Sequence, residues 1–219
     1  MTGTDGITNV ASYIGLIGCG VVYLSAVLRW SWSRNRPVVW RWGVLVIGLV
    51  VLVAPLAHAP LVVLLRGFSG DLSIGTLLLC VISLYSILVG SVGERVERQR
   101  DRRFMLSAVL IVASVLYPLA LGWGTVDPYS WGFGNIGLAV GLFVLCLVAW
   151  AFKYYITVIW LLLTVVAYQL RIYESHNLWD YLLDPFLAVY AIAFFISQLF
   201  SKIQNLNQKP VVAVVEGEK

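Results

Sequence analysis

The sequence predicts an all-α protein, a polytopic transmembrane helical bundle of about seven spans with its N-terminus outside and its C-terminus cytoplasmic. Three observations lead there. Hydrophobic residues make up 60% of the chain and charged residues only 12%, apolar runs of spanning length recur from end to end, and Lys and Arg fall on one side of them. A soluble domain carries about 25% charged residues, so this chain has too few charges to cover a water-facing surface. A mean hydropathy of +0.88 agrees, and lipid becomes the solvent for most of the exterior.

A helix needs about 20 apolar residues, with a range of roughly 17–25, to cross the hydrocarbon. Reading for such runs places spans near 8–29, 43–65, 72–92, 104–123, 135–151, 154–171 and 184–201 of a single domain covering 1–201, followed by a short polar tail over 202–219. Only Phe152, Lys153 and Tyr154 separate the fifth and sixth spans. One helix across both would measure roughly 55 Å at 1.5 Å per residue, too long for a single crossing, so a tight helical hairpin is expected.

Orientation follows from the basic residues. With the N-terminus outside, thirteen of the fifteen Lys and Arg lie on the inner side, leaving only Arg66 and Arg171 outside. The basic excess is therefore topological and implies no nucleic-acid partner. The inner loop from Gly93 to Arg103 mixes both signs and reads as a solvated helix extension whose arginines meet anionic lipid headgroups. Trp30, Trp32, Trp40 and Trp42 flank the first inner loop, and Trp123, Trp131 and Trp179 sit at outer ends, as an interfacial belt requires.

Chemistry-bearing residues concentrate on the outer side. His58 lies between Pro55 and Pro60 in the second span. Each proline removes a backbone donor and frees a carbonyl, so the stretch must face protein or a wet cavity. An ionisable side chain at that depth is a candidate site, with a neutral packing histidine as the plainer alternative. In the loop from Arg171 to Pro185, a helix would align His176, Asp180 and Asp184 on one face, a set suited to a cation or to acid–base work. The plainer reading makes Asp184-Pro185 an N-cap followed by a first-turn proline, and 176–183 an interfacial segment anchored by Trp179 and Tyr181. Ser69 or Asp71 is placed to cap the third span, and Asp127-Pro128 opens a glycine-rich turn. Convergence of these loops would bring His58, Asp71, Asp127, Glu174, His176 and Asp180 into one acidic outer site.

Two small-residue patterns read as helix packing. Ser73, Thr76, Cys80, Ser83 and Ser86 form one face of the third span, and Gly137 and Gly141 make a Gly-x-x-x-Gly step on the fifth. Cys19, Cys80 and Cys146 fall singly in apolar runs and suggest neither disulfides nor a zinc site. The common phosphate, dinucleotide, nucleophile-elbow and zincin motifs are missing, so no metal or cofactor is implied and no catalytic set is assembled in sequence. No span has a charge near its centre, against a coupled transporter.

The leading expectation is a non-catalytic integral membrane subunit or scaffold of a larger envelope assembly. Its partners are anionic lipid at the cytoplasmic face and other membrane subunits, in a bacterial inner membrane. A second expectation is an outward-facing membrane enzyme or lipid- or glycan-binding protein that uses His58 and the His176/Asp180 region. A third is a small-solute channel or carrier along the polar face of the third span.

Overall fold

A computed structural model describes residues 4–29, 37–56, 59–89 and 95–207. The chain is all-helical, apart from a two-residue antiparallel pairing of Pro55–Leu56 with Ala59–Pro60. In chain order the helices are α1 (Thr4–Arg29), α2 (Val38–Val53), α3 (Leu61–Ser69), α4 (Ile74–Val89), α5 (Arg95–Ala120), α6 (Ile136–Ala151), α7 (Tyr155–Gln169), α8 (Leu178–Leu182) and α9 (Pro185–Asn207). A 3-10 turn over Pro128–Gly132 lies between α5 and α6.

Among the described residues two helices are long and apolar enough to cross a membrane, α5 over Arg98–Ala120 and α9 over Pro185–Asn205. Five shorter apolar stretches join them, Gly15–Leu28, Val39–Val53, Ile74–Val89, Ile136–Ala151 and Tyr155–Gln169. Their outward faces are apolar. Ile47 and Val50 on α2, Ile136 and Phe143 on α6, and Val189 and Leu199 on α9 are all exposed.

The run expected as one span over 43–65 is two helices. Ala54 N–H closes the last α2 turn on Val50 O, and Pro55 cannot donate to continue the ladder. The chain then reverses through the Pro55/Pro60 pairing and restarts as α3, with Pro60 at its N-cap. The fifth and sixth runs are separate helices joined by Phe152–Tyr154. Lys153 takes the left-handed conformation (φ 60°) while Tyr154 N–H returns to Ala149 O and Lys153 N–H to Trp150 O, the paired bonds that end a helix sharply. Arg171 (φ 51°) closes α7 the same way, with Ile172 N–H on Ala167 O.

The core sits among α5, α7, α8 and α9. Met105, Leu106 and Val109 of α5 pack with Trp160 and Leu161 of α7, Leu182 of α8, and Leu187 and Ala191 of α9. Helix α8 is a buried plug: Leu178, Trp179, Tyr181 and Leu182 are all inside. The expected interfacial segment is thus part of the core, because Trp179 Nε1 finds Pro128 O (2.9 Å) and the Tyr181 hydroxyl finds backbone carbonyls. A buried tryptophan or tyrosine is tolerated once its polar atom is satisfied.

Close helix approach is set by glycines other than the expected pair. A Cβ on Gly75 of α4 would stand 2.7 Å from Leu187 Cδ2 and 2.8 Å from Trp160 Nε1, so α4, α7 and α9 meet where no side chain fits. Gly15 of α1 is likewise pressed against Arg66 and Asp71. Gly141 has nothing within 4 Å of an added Cβ, and Gly137 meets only its own cap, Asn135. The Gly-x-x-x-Gly face of α6 therefore packs against no other helix of this chain among the described residues. Of the α4 stripe, Ser73 and Thr76 are buried, whereas Cys80, Ser83 and Ser86 are half-buried. Ser73 and Thr76 act through hydrogen bonds described next.

Candidate functional site

The polar residues of the loops 66–73, 127–135 and 171–184 meet at one end of the bundle, called here the acidic end. Its centre is Asp184. The Asp-Pro pair starts α9 as its residue types predict, with Asp184 Oδ1 accepting from Leu187 N–H at 2.7 Å. Its other oxygen reaches a second helix. Asp184 Oδ2 accepts from Ser73 N–H and from the Thr76 hydroxyl, each at 2.7 Å. Ser73 Oγ in turn accepts from Thr76 N–H at 3.3 Å, so Ser73 is the residue that caps α4. One buried carboxylate thus satisfies donors at the first turns of two helices, where unpaired N–H groups and the helix dipole both favour negative charge.

Asp71 does not cap α4. It forms a two-point pair with Arg66, Nε to Oδ1 at 2.8 Å and the terminal nitrogen to Oδ2 at 3.1 Å. Glu174 approaches the same guanidinium at 4.0 Å. The hydrogen bond to Asp71 is the main reason the Arg66 guanidinium is held above its ordinary value. The bidentate fork fixes the turn from α3 to α4, and Gly15 lets this pair lie directly on the α1 backbone. Ser69, the other expected cap, donates back to Leu65 O within α3.

Tyr173 and Tyr181 stack with ring centroids 4.9 Å apart. The Tyr173 hydroxyl donates to Leu72 O at 2.6 Å, tying the α7–α8 loop to the start of α4. Tyr173 N–H donates to the Tyr181 oxygen at 3.1 Å. Burial, reinforced by Asp71 and Asp184, pushes the Tyr173 phenol above its ordinary value; burial does the same to Tyr181.

Asp180 accepts from the Tyr129 hydroxyl at 3.1 and 3.2 Å and from Ser175 Oγ at 2.5 Å. Burial, then the neighbouring Asp180 charge, raises the Tyr129 phenol. Asn177 caps α8 by accepting from Trp179 N–H, and its Nδ2 donates to Tyr129 O at 3.0 Å. Gly132 makes that bridge possible, since an added Cβ would stand 1.6 Å from Asn177 Oδ1.

The expected site residues divide into three groups. Asp71 and Glu174 converge on Arg66, and Asp180 joins the loop that carries Tyr129. Asp127 is exposed and caps its own 3-10 turn through Tyr129 N–H at 3.0 Å. His176 is exposed and makes no hydrogen bond among the described residues, and His58 lies outside them. The His176–Asp180–Asp184 stripe does not form. Asn177 starts the helix after His176, and Leu183 is extended (φ −147°, ψ 151°), which ends the helix before Asp184. Among the described residues no group of three His, Cys, Asp or Glu is placed to hold a metal ion.

Chemically, the less exposed carboxylates of this end are already engaged. A general base needs an orienting partner and an open approach to substrate. Asp184, Asp180 and Asp71 instead spend their oxygens on donors of neighbouring loops and helices.

Sequence reasoning missed a matching device at the opposite, basic end. Asp101, assigned to a solvated extension, is 5% exposed. Its carboxylate accepts from Ile156 N–H (2.5 Å), Thr157 N–H (3.1 Å) and Thr157 Oγ1 (2.9 Å), capping α7 from α5. Nothing local distinguishes Asp101 from its charged neighbours; the α5 helical register, which turns position 101 inward with Met105, is the signal that could have found it. Comparison with family models, with curated proteins and with solved structures finds no match to this chain.

Proposed function

We propose that this chain is a seven-span membrane protein, N-terminus outside and tail cytoplasmic, serving as a non-catalytic subunit or scaffold of a larger membrane assembly. One observation carries the reading: the three carboxylates best engaged at the acidic end, Asp184, Asp180 and Asp71, are spent on fastening loops and helix ends to one another, while the apolar circumference is left bare. A catalytic end would keep at least one oriented acid or base open to substrate. Lipid and other membrane helices are the solvents that suit such a circumference. The bare Gly137/Gly141 face of α6 has the small-residue form that lets a partner helix approach closely.

Helices of 15–16 residues, such as α6 and α7, reach about 24 Å at 1.5 Å per residue. Local thinning of the bilayer accommodates that at fractions of a kcal/mol per Å. The basic end, with Arg100, Arg102, Arg103, Lys153 and Lys202, belongs on the cytoplasmic side by the positive-inside rule, in contact with anionic lipid.

The test is purification after mild solubilisation, with mass determination of the intact complex. A stoichiometric partner or a higher oligomer is the expected result. A strictly monomeric protein that brings no membrane protein with it refutes the subunit reading. Reporter domains fused after Lys219 test the orientation: a reporter active only outside the cytoplasm would overturn it.

A further inference from the structure

We propose that the cleft between α5 and α9 at the basic end is a discrete binding site for the phosphate of an anionic phospholipid. The inference rests on the membrane reading above and adds to it a defined pocket with named donors. The cleft has a volume of about 990 Å³ and is lined on one wall by Gln99, Arg102 and Arg103 and on the other by Gln198, Lys202 and Asn205 among others. Among the described residues no carboxylate lines it. The nearest acid in sequence, Asp101, faces the other way and is committed to the α7 cap.

The second observation concerns hydrogen bonding. Among the described residues, three buried side-chain nitrogen or oxygen atoms have no partner, Arg102 Nε, Gln198 Nε2 and Tyr117 Oη. Two of the three belong to this one cleft, one from each wall. A buried donor without a partner is costly, more so when charged, so two together mark a place where an acceptor is missing. The third, Tyr117 Oη, stands alone at the acidic end, near Asp180 and Asp184. The Arg102 guanidinium is held 4.7 Å over the Phe194 ring, which fixes its plane before any ligand arrives.

The acceptor these groups select is a phosphate. It offers several oxygens to a planar guanidinium, a second cation on each side and an amide. Depth selects the source. Arg102 stands four residues inside the apolar stretch that begins at Arg98, and Lys202 three residues from the end of the one that closes at Asn205, about 6 and 4.5 Å along the respective helices. That is headgroup level for a bilayer wrapped around α5 and α9. The lower part of the cleft, at Tyr190, Ala193 and Phe194, is apolar and suits the glycerol and upper acyl chain.

The experiment uses the purified full chain in neutral detergent. It is exposed to phosphatidylglycerol or phosphatidylcholine, and retained lipid is counted by native mass spectrometry. Wild type is expected to retain the anionic lipid preferentially. Lys202→Gln should cut that retention roughly five-fold, the effect of one basic charge at an anionic surface, and Arg102→Gln should cut it by more. Lys153→Gln, at the same end but outside the cleft, should leave it unchanged. Equal retention of both lipids, or equal losses in Lys153→Gln and Lys202→Gln, overturns the proposal, the second outcome meaning diffuse charge attraction. Should Arg102→Gln fail to fold, Lys202→Gln and Gln198→Leu decide the matter. If millimolar inorganic phosphate displaces the lipid and stabilises wild type but not Lys202→Gln, the site is for the free anion and the lipid assignment falls. Failure of the membrane reading itself is separately visible, as protein that stays soluble and monodisperse without detergent.

Discussion

Replacing Asp184 tests whether the acidic end is a fastening device. The side chain is 7% exposed and accepts three hydrogen bonds of 2.7 Å, from Ser73 N–H, Thr76 Oγ1 and Leu187 N–H. Loss of an N-cap oxygen costs a helix about 0.5–2 kcal/mol, which is the α9 share. The two donors at the head of α4 then lie buried without a partner, at about 1–3 kcal/mol for such a group. These terms overlap, and Asp184→Ala should cost about 3–5 kcal/mol in all. For a chain of this size that corresponds to a fall in Tm of roughly 6–20 °C. Asp184→Ser should retain the α9 cap but not reach Ser73 and Thr76, and Asp184→Asn keeps one acceptor oxygen, so both should fall between alanine and wild type. Thermal unfolding in micelles, followed by circular dichroism, gives the order. Coupling to Thr76 can be isolated by a double-mutant cycle with Thr76→Val. An Asp184→Ala protein within about 0.5 kcal/mol of wild type, the usual range for an inert surface change, would refute the account of this end.

The same assay extends to the other contacts. Asp101→Ala should destabilise by about 2–4 kcal/mol through the lost α7 cap and should speed amide exchange at Ile156 and Thr157, while other helix starts keep their protection. Gly132→Ala forces a Cβ into the space of Asn177 Oδ1 and should cost about 1–3 kcal/mol as overpacking does; an unchanged Tm would mean that the 128–135 loop is not held by Asn177. Burial raises the Tyr173 phenol, so the stability it lends is complete below the unfolded value of about 10 and is lost as pH climbs towards the folded one. Wild type should therefore weaken above pH of about 10, and Tyr173→Phe, although less stable at neutral pH for want of the Leu72 bond, should show a shallower alkaline fall. Gly141→Leu has open space for its side chain, so the isolated chain should melt as wild type does while the partner complex falls apart; a complex of undiminished stoichiometry would remove α6 from the interface.

How much of this was legible in the residues differs by element. The apolar runs located α1, α4, α5, α6, α7 and α9 to within a few residues at most ends, because length and composition decide those without knowledge of neighbours. The break at Pro55 was only half legible: the sequence announces lost donors, but not that Pro55 and Pro60 would pair and turn the chain. Asp184 announced its local duty through the following proline, yet the Ser73 and Thr76 bonds span more than a hundred residues and no local pattern encodes them. The glycines that pack within the chain were missed for a related reason. Gly137 and Gly141 have the spacing of a packing motif, whereas Gly15, Gly75 and Gly132, which do receive a neighbour's side chain, look unremarkable until the tertiary arrangement is known.

The two ends of the bundle solve one problem in the same way. A helix that begins inside a packed or lipid-covered region has N–H groups that water cannot reach, and each of these buried starts borrows a carboxylate. Asp184 serves α9 and also α4, and Asp101 serves α7 from α5. Because each carboxylate answers donors on two elements at once, or on an element other than its own, it fixes helix register as well as helix start. Hydrophobic contact cannot do that in a bundle whose surface is apolar on every side, since sliding by a turn would bury as much. The buried charges of so apolar a chain thus specify alignment, while in the basic cleft of Arg102, Arg103 and Lys202 the Arg102 Nε and Gln198 Nε2 donors are left open to an acceptor that the described residues do not supply.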